Sequence, residues 1–488
     1  MWLGIGDAIE HWARYSPNKI ALRIGDRSFD FKSLYERAAA ISNFIVESKI
    51  VGHVGVSVKD KFEYLACIAG LNLVGNPIIV LNPYADQESL KVHLTDTKPS
   101  AILGHTDLIQ GIDRATGKSM KTFDVSKIPI NKEKKSFLRN NFKEWGILFS
   151  SGSTGISKAI VYDHLTMSSE LLAWCLELGI RRTTRFYIGR PIHYTGGLAL
   201  SLATLLVGGE TILTESPEDS DFESIWDHYQ KCLLDNIFDF AFFIPDQLRT
   251  FMRIAKEPLG GPTILVMGAP ISGKEKQDVS RILKSPVIES WGNSEGLGTI
   301  TDEEDLFSRP ESIGRPFLTE KMYIVTDDLV ECRPGESGRI AGSEETMFIE
   351  YANRPDATER VKKNSLILSD DIGYMDESGY FYILGRNQES FVIGGKTVFL
   401  CDIEERLRRI TGIIDICIVA VEEVKGAVDF YALIVSQKDN TNEDSVKIEI
   451  KSAIDIQLAG FLFVDTLPRL SSGKIDRLGA VELVRQSK

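Results

Sequence analysis

The sequence lacks the features that mark secreted, zinc-binding and membrane-spanning proteins. Its six cysteines are scattered and form no Cys-x-x-Cys pair, so we expect free thiols in a reducing compartment. The best candidate for a membrane segment, residues 196–209, is too short to span a bilayer and predicts a buried helix. Asp7 and Glu10 interrupt the N-terminal apolar residues, which therefore lack a signal-peptide core. These absences predict a cytoplasmic protein.

Positive charge is also scarce. The 488 residues include 56 Lys and Arg against 69 Asp and Glu, which gives a net charge of −13. A nucleic-acid backbone or an anionic membrane surface is therefore disfavoured as a partner, although a small anion can still meet a local group of cations. With 43% hydrophobic and 26% charged residues, the composition is typical of a globular protein. The length predicts about three domain-sized units.

Hydrophobic periodicity predicts an α/β organisation. We expect helices at 31–45, 166–179, 197–207, 222–233, 402–410 and 444–455, and strands at 76–83, 413–421 and 428–435. Between 146 and 291, short apolar runs alternate regularly with helices, which is typical of parallel sheets with helical crossovers. Residues 310–385 contain short β-like runs separated by Gly, Asp and Pro and predict a small β-unit. An α+β segment of about 100 residues follows.

The most informative segment is GILFSSGSTGISK, residues 146–158. After an apolar strand come Ser150, Ser151, Gly152, Ser153, Thr154 and Gly155, and then Lys158. Small residues let backbone N–H groups approach an anion, hydroxyls add donors, and the lysine adds charge. Taken alone, the segment fits a phosphate-binding loop and a flexible turn equally well.

Two better-known motifs are excluded. The P-loop of common NTPases requires Gly, four residues and then Gly-Lys-Ser/Thr, but Gly155 is followed by Ile156. The segment WGNSEG, 291–296, matches the nucleophile elbow of α/β-hydrolases, which place their catalytic histidine after the nucleophile. All seven histidines precede Ser294, so a hydrolase is excluded. Glu295, beside a glycine at the end of a strand, is suited either to hold Mg²⁺ near phosphates or to remain solvated.

Taken in order, these segments and four others resemble the adenylate-forming superfamily of acyl- and aryl-CoA synthetases, stand-alone adenylation domains and firefly-type luciferases. The four others are PIHYTGG (191–197), MGAP (267–270), SDDIGYMDESGYFYILGR (369–386) and LPRLSSGKIDR (467–477). The resemblance extends from about residue 10 to 480. A single motif of this kind is weak, but six in the same order indicate a member of the family.

The resemblance implies a role for each matching residue. Catalytic positions would be Lys474, Glu295, Ser294 and His193, with Glu295 as the Mg²⁺ ligand. ATP would be held by Ser151, Gly152, Ser153, Thr154, Gly155, Lys158, Ala269, Trp291, Gly292, Asn293, Asp371 and Arg386. The acid pocket would be lined by His193, Tyr194, Gly196, Gly197, Gly268, Ala269, Pro270, Gly292 and Leu297, with either His193 or Tyr194 as its gate.

The resemblance also implies the fold and the reaction. We expect an α/β N-terminal domain (1–388) of two parallel-type sheets plus a small β-barrel, and a small mobile α+β domain (389–488) that closes about a hinge near Glu389. ATP, Mg²⁺ and a carboxylic acid would yield an acyl-adenylate and pyrophosphate. The Asp that pairs the ammonium in amino-acid-activating members is missing near 191–201. The acid should therefore lack an α-amine and be small, cyclic, aromatic or medium-chain.

The acceptor of the acyl group is less clearly specified. Gly394 and Gly395 fit a narrow acceptor channel, but this segment departs from the family at Val392, Leu400 and Asp402. CoA is the first expectation. An amine, as in amide-forming members such as coronafacic acid ligase, is the alternative, and a carrier protein would act in trans.

Overall fold

A computed structural model describes residues 4–105, 120–130, 139–150, 157–215, 221–235, 238–256, 260–393, 396–422, 428–436, 443–454, 456–469 and 475–487. The chain forms two compact units. The first takes in residues up to 150, 157–322 and 342–368, and the second takes in 323–341 and the chain from 369 onward. The division into 1–388 and 389–488 stays a prediction.

Aspartate begins several helices by capping them. The side chains of Asp30, Asp60, Asp86 and Asp163 each accept a hydrogen bond from the backbone N–H three residues later, which satisfies one of the donors that a helix leaves unpaired. The described helices are α1 Ile5–Tyr15, α2 Phe31–Glu47, α3 Lys61–Val74, α4 Gln87–Thr97, α5 His164–Glu177, α6 Thr195–Leu206, α7 Phe222–Asp235, α8 Pro245–Ile254, α9 Gly273–Leu283, α10 Asp305–Ser308, α11 Pro355–Val361, α12 Leu400–Arg408, α13 Glu443–Ala453 and α14 Arg477–Ser487. All six helices predicted from periodicity are confirmed.

Strands are short and rich in β-branched and aromatic residues. They are β1 Ile20–Ile24, β2 Arg27–Asp30, β3 Val54–Ser57, β4 Ile78–Val80, β5 Ala101–Gly104, β6 Thr122–Asp124, β7 Glu144–Phe149, β8 Ala159–Asp163, β9 Arg185–Ile188, β10 Glu210–Leu213, β11 Phe240–Phe243, β12 Thr263–Val266, β13 Val287–Gly292, β14 Gly298–Ile300, β15 Arg315–Pro316, β16 Met322–Val325, β17 Gly338–Ser343, β18 Glu350–Tyr351, β19 Lys362–Lys363, β20 Leu366–Met375, β21 Phe381–Arg386, β22 Ser390–Ile393, β23 Lys396–Phe399, β24 Ile413–Glu422, β25 Val428–Ser436 and β26 Leu458–Phe463. The three predicted strands correspond to β4, β24 and β25.

Two sheets dominate the first unit. One has the order β15-β14-β13-β12-β11-β9-β10-β1-β2, with parallel pairing from β13 to β1 and antiparallel strands at both edges. The other has the order β18-β8-β7-β4-β3-β5-β6, parallel from β7 to β6 and antiparallel at β8 and β18. Because helices connect parallel strands, both sheets are buried between helical layers.

The apolar stretch at 196–209 forms α6, as predicted. Every residue from Gly197 to Leu206 is buried, so the helix is enclosed by protein on all sides. Among the described residues, no helix combines the length and apolar character needed to cross a membrane.

Three further sheets are smaller. A five-stranded sheet has the order β16-β17-β20-β19 with β21 also paired to β20, and it takes the place of the expected β-barrel in the described residues. β22 pairs with β23. In the sheet β24-β25-β26, alternate side chains point to opposite faces: Ile416 and Ile418 pack with α12 and α13, whereas Cys417 and Val419 pack with α14. This last sheet has the predicted α+β character.

Candidate active site

The glycine-rich segment is closed at its base by hydrogen bonds. β7 and β8 are antiparallel neighbours, and the segment connects them. Ser150 N donates to Lys158 O (3.0 Å), Lys158 N donates to Ser150 Oγ (3.1 Å), and Ser157 Oγ donates to Ser150 O (2.6 Å). The predicted phosphate-binding residues Ser151, Gly152, Ser153, Thr154 and Gly155 lie outside the described residues. The bonds fix where this loop leaves and rejoins the sheet.

Lys158 follows the loop and contacts an aromatic ring. Its Nζ lies 4.8 Å from the centroid of Tyr351, a residue of β18 that is 2% exposed. β18 pairs with β8, with Tyr351 opposite Ile160, so the contact arises from strand register. An ammonium over a ring face is attracted by the ring quadrupole. The side chain is thereby held beside the base of the loop.

The WGNSEG segment is a turn between two antiparallel strands. Trp291 and Gly292 end β13, and Asn293 shapes the turn because its Oδ1 accepts from Leu297 N (3.0 Å) while its N donates to Leu297 O (3.0 Å). Gly296 has φ +110°, a conformation that glycine adopts at least cost. A nucleophile elbow needs a helix after the turn. Here the chain continues as β14, so the exclusion of a hydrolase is confirmed.

Glu295 is positioned through both its backbone and its carboxylate. Its O accepts from Phe348 N (3.0 Å), and its Oε1 accepts from the Tyr351 hydroxyl (2.5 Å). The Tyr162 hydroxyl donates to Ser294 O. The described residues contain no group of three or more His, Cys, Asp or Glu that could form a metal cage. A single oriented carboxylate fits Mg²⁺ that arrives with nucleotide phosphates, because Mg²⁺ needs only one or two carboxylates there.

The PIHYTGG segment connects β9 to α6. The His193 and Tyr194 ring centroids are 4.5 Å apart, and the Arg190 guanidinium lies 5.1 Å from the Tyr194 ring. Burial lowers the pKa of His193 to about 3, and the positive charges of Arg190 and Lys61 act in the same direction. His193 is therefore a neutral imidazole near pH 7, suited to hydrogen bonding.

Packing requires glycine at position 197 of this segment but not at position 196. A methyl group at Gly197 would lie 2.4 Å from Pro191 O, and one at Gly196 would lie 2.6 Å from Met267 Cε. Close approach of a backbone carbonyl therefore explains Gly197, whether or not it also lines an acid pocket, whereas Met267 Cε is the end of a flexible side chain that can move away from Gly196.

MGAP follows β12. Gly268 has φ +103° and is exposed with Pro270, while Ala269 is half-buried. Leu297 is 1% exposed and packs against the backbone of Gly342. The roles of these residues in an acid pocket stay predictions.

In the second unit, Asp371 and Arg386 form a cross-strand ion pair. They are opposite each other in β20 and β21, with Arg386 Nε 3.6 Å from Asp371 Oδ1. Neighbouring Asp370 pairs with Arg339 (3.4 Å). A carboxylate oriented by a guanidinium can accept hydroxyl donors of a ribose, which is the predicted role of Asp371.

The predicted hinge residue Glu389 also forms an ion pair in this unit. Arg477 Nε lies 2.9 Å from Glu389 Oε1, and its terminal nitrogens contact the buried carboxylate of Glu404 at 2.7 and 3.1 Å. Gly394, Gly395 and Lys474 lie outside the described residues.

Within the first unit, the fold brings Lys158, Ser294 and Glu295 to the same tyrosine-rich region, which also contains Tyr162 and Tyr351. Sequence reasoning missed Tyr351. Its strand has two residues and shows no periodicity, and its pairing with β8 has no counterpart in the local sequence.

Comparison with known proteins assigns the chain to a family. The profile of the AMP-binding enzyme family matches residues 9–352, most of the chain. The chain belongs to the AMP-binding enzyme family. The resemblance to adenylate-forming enzymes is therefore confirmed.

Relatives and solved structures extend over nearly the whole chain. A 2-succinylbenzoate–CoA ligase of Bacillus pumilus is 23% identical over 476 residues, covering 96% of each chain. The structure of o-succinylbenzoate coenzyme A synthetase (MenE) from Bacillus subtilis with ATP and a magnesium ion has a TM-score of 0.83 at 19% identity, covering 96% of this chain and 98% of that one. The amide bond synthetase McbA from Marinactinospora thermotolerans has a TM-score of 0.83 at 15% identity, covering 99% of both chains. The predicted fold class is confirmed.

Proposed function

We propose that this protein is an ATP-dependent carboxylic acid ligase that forms an acyl-adenylate and transfers the acyl group to CoA. The observation that carries the proposal is the arrangement of Lys158 and Glu295 around Tyr351. It sets one cation and one carboxylate beside the base of the glycine-rich loop. Membership of the AMP-binding enzyme family supports the use of ATP, and the CoA ligases among its relatives support the acceptor.

The reaction has two steps. A carboxylate oxygen of the acid forms a bond to the α-phosphorus of ATP, the bond to the bridging oxygen breaks, and pyrophosphate leaves with that oxygen. The thiol sulfur of CoA then attacks the acyl carbon, AMP leaves with its oxygen, and the thiol proton passes to solvent. Because negative charge is redistributed over phosphate oxygens, positioning and electrostatic stabilisation are the main contributions of the protein.

The residues divide this work. Lys158 and the glycine-rich loop hold the β- and γ-phosphates, and Lys474 acts at the carboxylate and the α-phosphate. Glu295 is the residue to hold Mg²⁺, which offsets phosphate charge when bound. Asp371 and Arg386 hold the ribose. Trp291 lies against the adenine.

The acid is proposed to lack an α-amine. A neutral His193 fits an acid without an α-amine, because its uncharged ring can donate or accept a hydrogen bond but supplies no charge to pair with an ammonium. The relatives named for 2-succinylbenzoate, an aromatic acid, support the aromatic class among the small, cyclic, aromatic and medium-chain acids.

CoA is the acceptor that we propose, and an amine is the alternative. The structural similarity to an amide bond synthetase and the departures at Val392, Leu400 and Asp402 favour including the amine. A carrier protein acting in trans is a third class. We also propose a cytoplasmic location, in agreement with the scattered cysteines.

The test of the first step is Lys474→Ala. We expect this variant to bind ATP but to lose most ATP–pyrophosphate exchange, because its ammonium acts on the reacting groups. Exchange close to the wild-type rate would contradict the assignment.

The test of the second step is a panel of acids incubated with ATP and either CoA, amino acids or neither. Mass spectrometry separates a thioester, an amide and an accumulated adenylate. A thioester formed only with CoA is expected. Formation of an amide instead would assign an amine rather than CoA as the acceptor. Pyrophosphate release with α-amino acids alone would overturn the proposed class of acid substrate.

A further inference from the structure

Glu295 is held by one short segment of the chain, residues 348–351. Phe348 N and the Tyr351 hydroxyl donate to its carbonyl and its carboxylate, respectively. The segment is itself fixed to β8, because Ile349 N donates to Val161 O (2.7 Å) and Glu350 pairs with Val161. The turn between β13 and β14 of the nine-stranded sheet, which contains Glu295, is thus attached to β18 at the edge of the seven-stranded sheet.

The ring of Tyr351 meets the other charged group of the site. Lys158 Nζ lies over one face, and the Phe348 ring packs at 4.8 Å. Tyr351 is buried, so its ring and hydroxyl have defined positions. One side chain therefore contacts both the ammonium and the carboxylate.

This arrangement keeps the two charges apart. Within the described part of the chain, neither Lys158 nor Glu295 forms a salt bridge with another described residue. A direct Lys–Glu pair would neutralise both groups and would have to break before phosphates and Mg²⁺ could bind. A phenol hydroxyl is neutral and occupies only part of the acceptor capacity of a carboxylate, which leaves Glu295 Oε2 for a ligand.

We infer that Tyr351 is a positioning residue for MgATP: its hydroxyl orients the Glu295 carboxylate toward the metal, and its ring separates that carboxylate from Lys158. The inference rests on the proposed function, in which Glu295 holds Mg²⁺ and Lys158 holds phosphates. It assigns separate tasks to two parts of one side chain. The hydroxyl governs the dependence on Mg²⁺, and the ring governs the phosphate contact of Lys158.

Two substitutions separate these tasks. Tyr351→Phe keeps the ring and removes the hydroxyl, whereas Tyr351→Leu removes both. The matched control is Tyr187→Phe, which removes the hydroxyl of a fully buried tyrosine that donates to Ile225 O (3.2 Å) in the core of the nine-stranded sheet. Thermal melts establish that each variant is folded.

The readout is calorimetric titration of ATP at a series of Mg²⁺ concentrations and in EDTA, which needs no acid substrate. Removing a residue that orients a metal ligand typically costs 10–100-fold in metal affinity. We therefore expect Tyr351→Phe to raise the Mg²⁺ concentration for half-maximal ATP binding by about tenfold. Its ATP affinity in EDTA should match that of the wild-type chain, and Tyr351→Leu should weaken binding under both conditions.

Each outcome decides the question. Tyr351→Phe with the same Mg²⁺ dependence as Tyr187→Phe would overturn the inference while leaving the proposed function intact. If Tyr351→Phe weakens ATP binding equally with Mg²⁺ and in EDTA, the hydroxyl has no specific relation to the metal, and the inference is also overturned. Failure of the wild-type chain to bind ATP at all would overturn the proposed function and this inference with it.

Discussion

Stability is predicted to fall in acid because of one buried histidine. His93 lies on the inner face of α4, is 7% exposed, and stacks on Phe149 at a centroid distance of 3.8 Å. Neither ring nitrogen has a hydrogen-bond partner in the part of the chain that the structure describes. Burial lowers the pKa of His93 from 6.5 to about 4; Asp96 and Asp86 oppose this shift and Arg354 adds to it.

The sign and size of the effect follow from this pKa. As the pH falls below 6.5, His93 becomes protonated in the unfolded chain, whereas in the folded chain it stays neutral until about pH 4. The free energy of unfolding therefore decreases as the pH falls through this interval. Between pH 8 and pH 5 the loss from His93 amounts to about 2 kcal/mol, since each pKa unit corresponds to about 1.4 kcal/mol. In His93→Phe, which retains a ring against Phe149, this part of the loss should disappear.

Urea unfolding at pH 8 and pH 5 measures the difference. The described tryptophans, Trp12, Trp145, Trp174, Trp226 and Trp291, all lie in the first unit, so their fluorescence reports on the unit that contains His93. His11→Phe is the matched control, since His11 is exposed. If His93→Phe and wild type lose the same stability within about 0.5 kcal/mol, or if the ring of His93 titrates near 6.5 by NMR, the argument from burial is wrong.

Two further substitutions test the packing around the site. Lys276→Met should destabilise the first unit by about 3–5 kcal/mol in urea, because it leaves the buried Glu289 carboxylate, now 2.6 Å from Lys276 Nζ, without its partner. The double variant with Glu289→Met should recover most of this loss, and no recovery would contradict the account. Gly296→Ala should cost about 1–3 kcal/mol in backbone strain and lower ATP–pyrophosphate exchange, because its methyl would lie 2.9 Å from Met347 Sδ beside Glu295. Gly379→Ala, at φ +83° in open space, is the control for strain alone, and equal exchange in both variants would exclude a displacement of Glu295.

The parts of the fold that were predictable have local causes. α6 follows from a continuous apolar run of helical length, and β24 and β25 follow from apolar runs bounded by polar turns. The strand expected at 76–83 is shortened to β4, Ile78–Val80. Pro77 and Pro83 stand on either side of it, and proline has no backbone N–H to donate to a neighbouring strand. In each case, the residues of the segment itself were sufficient to predict the element.

The contacts around Glu295 are not local, and for this reason they were not predictable. Glu295 was recognisable from its motif, but the hydroxyl that orients it belongs to Tyr351, in a strand of two residues. The Gly296 turn has a signal in the sequence, a glycine beside a strand end. The identity of its neighbour Met347 has none. Register across a sheet determines both contacts, and single-segment patterns do not contain it.

The pairing of β18 with β8 has a consequence for how the chain is made. Val161 and Ile160 in β8 pair with Glu350 and Tyr351 in β18. These two partners are synthesised after β13 and β14, the strands on either side of Glu295. Contacts between distant segments form late, because the intervening chain must first be brought into place. During synthesis, Lys158 and Glu295 are thus present without the ring that separates them and are free to attract each other. On the proposed function, the contacts that position Glu295 and Lys158 are completed only after residues 348–351 have been synthesised and paired with β8.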